Sequence, residues 1–128
     1  MTRAPDDQIA TKLLADPAKV EVLGWLREPV AEQRRLGQLA SLDASIAWAT
    51  RIYDAGAVEV WAVDIDCYVT SYADGEVGHA SSGKLVVRLP KDADPRQRFF
   101  RWEAKHAHSL GFEGRTDEGQ EYVFLPLD

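Results

Sequence analysis

The stretch "EVWAVDIDCYVTSYADGEVGH", residues 59–79, holds side chains that could do chemistry: Asp64 and Asp66 around Ile65, then Cys67, then His79. Two carboxylates at i and i+2 on one strand face lie about 7 Å apart. They could share a hydrated divalent cation through hard oxygen ligands, which would make a metal-dependent enzyme. Asp-X-Asp alone is a weak metal signal, however. If "ADGE" joins two strands with Tyr72 facing Glu76, Lys84 stands opposite Asp64 and occupies the place of a cation. A cross-strand ion pair on a solvent face accounts for the same residues, so neither metal nor cofactor is expected.

The other reactive residues reduce similarly. In that register Cys67 falls on the apolar face as a buried, unreactive thiol, and His79 lies on the face away from the aspartates, near Val69. Cys67 is the only cysteine, so no internal disulfide or cysteine zinc cage can form. "GHASSGKL" imitates a phosphate loop, but Leu85 follows the lysine where Ser or Thr is needed, and a strand begins where a helix should. His106 and His108 cannot share a helix face, whereas Trp102 and His106 do and form an exposed or half-exposed patch rather than an active site.

The elements that position these residues can be read from periodicity. "DDQIATKLL" and "ADPAKVEVLGWLREP" suggest two short helices, the second capped by Asp16 with Pro17 in the first position; Val20 and Val22 would also suit a strand. "RRLGQLAS" is a weak strand. Ser41 caps a helix whose apolar stripe is Leu42, Ile46, Ala49 and Tyr53, ended at Gly56. "AVEVWAVDIDCYVTSY" has period two and forms one long strand, residues 57–72, which returns through "KLVVRLP". Asp94 caps a helix with Pro95 in its first position and Gln97 completing a capping box, and this helix buries Phe100, Ala104, Ala107 and Leu110; "EYVFLPLD" closes as an edge strand because of Pro126.

The order from residue 34 onward is strand, helix, strand, strand, helix, strand. It predicts an α+β fold of the ferredoxin-like split βαβ (βαββαβ) plan, an antiparallel sheet with its helices on one face. Residues 1–33 form a helical extension packed on that domain, residues 34–128. Trp61, Val63, Ile65 and Cys67 should then face the core. Val60, Ala62, Asp64, Asp66, Lys84, Val86 and Arg88 should form an open outer face.

Composition limits the function. The chain has 128 residues, 45% hydrophobic and 28% charged, which suits a folded protein with its own core. No apolar run approaches the ~20 residues of a membrane helix, and the start lacks the apolar segment of a signal peptide, so a cytoplasmic protein without membrane contact is expected. A net charge of -6 disfavours nucleic acid. No nucleophile, base and oxyanion set converges. The expectation is a non-catalytic protein that binds a protein or small ligand on the open sheet face; the alternatives are the Asp64/Asp66 metal enzyme and an acidic inhibitor or immunity-type protein for a basic partner. The bare edge at "AVEVWAV" adds a twofold homodimer, unless the first forty residues cover it.

Overall fold

A long, bent β-hairpin organises the chain. The computed structural model describes residues 5–127. Among them the order is α1 (Pro5–Leu13), β1 (Val20–Glu21), α2 (Val22–Leu26), β2 (Gln33–Leu36), α3 (Leu42–Asp54), β3 (Glu59–Val63), β4 (Asp66–Tyr72), β5 (Gly75–Ser82), β6 (Lys84–Arg88), α4 (Ala93–Ser109) and β7 (Tyr122–Pro126). The fold is mixed α+β, with antiparallel pairing predominant and four helices among the described residues.

The strand expected over 57–72 breaks into β3 and β4 because Asp64 adopts a left-handed φ of 52°. A short polar side chain tolerates that conformation better than its β-branched neighbours would. Across the break, the Ser82 hydroxyl donates to the Val63 carbonyl at 2.7 Å, which satisfies a carbonyl that the ladder has lost. The hairpin therefore bends at Asp64 and Gly83 without leaving that buried oxygen unpaired.

The register differs by one residue from the expectation. Tyr72 pairs with Gly75, so the turn has only Ala73 and Asp74 at its tip, and the shift carries through to Val60↔Val87 and Ala62↔Leu85. The predicted inner and outer faces are also exchanged. Val60 and Ala62 join Leu85, Val87, Ile52 and Phe99 in the core under α2, α3 and α4, whereas Trp61, Val63 and Val86 pack with Ala10 beneath α1. The sheet of β1, β3, β6 and β7 is thus covered on both faces, and the open outer face expected there does not exist.

The strand order is β1-β3-β6-β7 in one sheet and β2-β5-β4 in the other. In the split βαβ plan the terminal strand would lie beside the first; here β7 pairs with β6 and β2 pairs with β5. β2 stops at Leu36, just before Gly37, whose φ is 48° and where an added Cβ would lie 2.7 Å from Leu127 Cβ, so the ends of β2 and β7 meet along the bent hairpin. The first forty residues also do more than pad the surface. Val20–Glu21 pairs with Ala62 and Trp61 and covers the β3 edge, and α2 contributes Val22, Trp25 and Leu26 to the core. Asp16 caps only a turn, accepting from the Ala18 N–H at 2.8 Å, and α2 is capped by Glu21 instead.

Candidate functional site

Helix α3 starts at Ser41, whose hydroxyl accepts from the Ala44 N–H at 3.1 Å, and it buries Ser45, Ala49 and Ile52. Helix α4 buries Phe99, Phe100 and Glu103. Both apolar stripes are rotated from the expected ones, and Leu42 and Leu110 are exposed. The rotation turns Trp48 of α3 toward Trp102 and His106 of α4. Their ring centroids lie 5.5 Å and 4.6 Å from Trp48, and Trp102 stacks on His106 at 6.0 Å and 9°. The Trp48 Nε1–H is buried without a hydrogen-bond acceptor, an arrangement that costs about 1–3 kcal/mol in general.

Of these three rings, Trp48 and His106 form one wall of a cleft between α3, α4 and the end of β7. The outer chamber has a volume of about 600 Å³ and brings Trp48 and His106 together with Leu39, Arg51, Pro126 and Leu127. An inner chamber of about 330 Å³ shares Trp48, His106 and Leu127 and reaches Glu103, Phe112 and Arg115. Leu110 and Phe112 stand at the rim, 60% and 68% exposed. Large exposed apolar side chains beside a concave apolar wall are typical of a ligand site.

A charged network fixes the inner chamber. Arg115 Nε donates to Asp6 of α1 at 2.9 Å and its Nη2 donates to the Phe124 carbonyl, while its backbone N–H donates to Glu103 at 2.6 Å. The loop can approach α4 this closely because residue 114 is glycine; an added Cβ would lie 2.5 Å from Ala104 Cβ. Glu103 is nearly fully buried and has these donors, so its charge is compensated in place. Asp7 accepts from the N–H groups of Glu121 and Tyr122 at 3.0 and 2.9 Å, which blunts the outer edge of β7.

The residues singled out from the sequence are scattered by the fold. Val60, Ala62 and Val86 are fully buried and line no surface. Asp64 and Asp66 are exposed, and Asp64 does pair with Lys84 at 2.7 Å, although Lys84 stands opposite Val63. Arg88 engages Glu59 at 2.8 Å. Among the described residues no group of three or more His, Cys, Asp and Glu side chains could hold a metal ion. Cys67, expected in the core, is exposed because β4 is the outer strand of its sheet. His79 pairs with Tyr68 and stacks on its ring at 4.7 Å, so it shares a face with Asp66 rather than opposing it.

Sequence reasoning picked out Trp102 and His106 by their four-residue spacing, but as a surface patch and not a site; of the two, His106 lines the cleft. It missed Trp48, Arg51 and Leu127, which lie on two further elements. A signal was available in Trp48 and Arg51, three residues apart on one helix face and off the predicted stripe. No protein-family model matches the chain, and comparisons with curated proteins and with solved structures give no match.

Proposed function

We propose that this chain is a non-catalytic binding module that takes a small apolar ligand into the cleft between α3, α4 and β7. One observation carries the reading: a concave aromatic wall, Trp48 with His106, opens to solvent beside the exposed side chains of Leu110 and Phe112. Burial of apolar ligand area there is favourable at about 25 cal/mol per Å² before binding costs. The charged network behind the cleft supports a preformed site, since it holds α1, α4 and β7 together whether or not a ligand is present. Calorimetric titration with a panel of mono- and bicyclic aromatic compounds tests it. Saturable binding weakened by about tenfold or more in Leu110→Glu is expected. Absence of binding, or binding indifferent to that change, would remove the reading.

Self-association is a second reading, moved from β3 to β4. The outer edge of β4 has no strand partner among the described residues, and Tyr68, Val69 and Tyr72 are 45%, 60% and 55% exposed along it. Antiparallel pairing of two β4 edges would give a twofold dimer. Sedimentation should then show a dimer that Val69→Lys converts to monomer; a monomeric wild-type chain contradicts it. The element order from β2 onward supports a derivative of the ferredoxin-like plan, with the terminal strand displaced onto β6. The exposed thiol of Cys67 supports a reducing compartment, and we read the chain as cytoplasmic.

A further inference from the structure

We infer that the ligand of the cleft is a planar aromatic carboxylate, or an organic anion of the same shape, with its ring against Trp48 and its charge on Arg51. The inference rests on the cleft being the binding site, and adds the chemical class of what fills it.

The charge of the outer chamber is the main reason. The chain carries 21 acidic and 15 basic residues, yet among the described residues no carboxylate lines this chamber; the ionisable side chains described there are Arg51 and His106. Arg51 is exposed near the end of α3 and its guanidinium makes no ion pair or hydrogen bond among the described residues. That distinguishes it from the arginines that build the fold: Arg34 pairs with Glu28, Arg88 with Glu59, Arg96 with Asp117 and Arg115 with Asp6. An unengaged guanidinium above an apolar pocket presents a fork of donors that fits a carboxylate with two parallel hydrogen bonds.

The shape of the ligand follows from the other walls. Trp48 lines the chamber with its indole, and Leu39, Pro126 and Leu127 add apolar surface. A ring system stacks well in such a space, and offset or tilted aromatic contacts add to plain area burial. The end of α3 works against an anion, because the helix dipole is negative there. That effect, screened by solvent at an exposed helix end, is weaker than a bidentate charge-assisted pair.

The test uses the intact chain and two probes of the same shape, 2-naphthoate and 2-naphthalenemethanol, titrated by calorimetry into wild type and Arg51→Gln. Arg51 is exposed, so the fold should survive the change. Naphthoate should bind wild type about tenfold or more tighter than the alcohol, and the preference should fall to within about twofold in the variant. Equal binding of both probes, or tighter binding of the alcohol, would overturn the anion inference and leave the cleft reading standing. A preference for naphthoate that persists in Arg51→Gln would overturn the role of Arg51. If neither probe binds, the ligand class assigned here is wrong, and the wider aromatic panel decides whether the cleft reading falls with it.

Discussion

Tyr53 ties three parts of the chain together with one hydroxyl, which donates to Glu21 at 2.6 Å and accepts from the Val60 N–H at 3.0 Å. Glu21 also caps α2 by accepting from Leu23 and Gly24 at 3.0 and 2.7 Å. Burial and the hydrogen bond to Glu21 hold the Tyr53 phenol well above its ordinary range. Burial pushes Glu21 up, but the donors from Tyr53, Gly24 and Leu23 outweigh it and its carboxyl lies below the ordinary value. The signs follow from linkage. A lowered carboxyl means that the unfolded chain binds more protons, so this stabilisation is present above pH 4.5 and is lost as the pH falls through the folded value. A raised phenol means that the folded chain holds its proton longer, so the contribution is present below pH 10 and is lost as the pH rises beyond it. Tyr53→Phe should cost about 1–3 kcal/mol near neutral pH, because it leaves the Val60 N–H unpaired. It should also reduce the fall in stability in both pH ranges. Denaturant titrations across pH check this; a variant within about 0.5 kcal/mol of wild type at every pH would show that the hydroxyl holds nothing in place.

At the scale of elements, the hairpin of β3 to β6 shows what periodicity can and cannot settle. Alternation from Glu59 to Val63 correctly announced a strand, but Val and Ala on one side and Trp and Val on the other look equally apolar, because helices cover both faces. Nothing in the local pattern says which face meets α3. The one-residue register shift depends on the turn, where Gly75 pairs with Tyr72, and the break at Asp64 depends on a single positive φ. Helices α3 and α4 were legible, but only Ser41 caps as expected: α4 starts two residues earlier than its predicted cap, at Asp92, which leaves Asp94 and Pro95 in the first turn, and the faces of both helices shifted with the tertiary packing. The exchange of faces has a measurable consequence. Val60→Lys places an ammonium in the main core and should destabilise by at least about 3 kcal/mol, whereas an outward Val60 would tolerate it. Cys67 should react fully with a thiol reagent in the native state, without denaturant. A stable Val60→Lys protein together with a protected thiol would restore the sequence-based faces.

Over the whole molecule, the described residues manage their sheet edges unequally. β1 covers β3, and the carboxylates of α1 occupy the outer edge of β7, so exposed apolar surface remains mainly along β4 and around the cleft. The cleft is assembled from α3, α4 and the residues after β7, which are far apart in the chain, so its existence depends on how those elements pack. Beforehand only the Trp102 and His106 spacing could be read, and it pointed to a surface patch and not to a cleft. Trp48 sits where the two chambers join, and its indole N–H is the natural reporter. The most direct measurement is a nitrogen-15 NMR titration with 2-naphthoate, with the Trp48 indole signal assigned from Trp48→Phe. Among the four tryptophan indole signals, that of Trp48 should move most, together with backbone amides of Arg51, His106 and Leu127. Shifts confined to Tyr68, His79 and the β4 strand would contradict it.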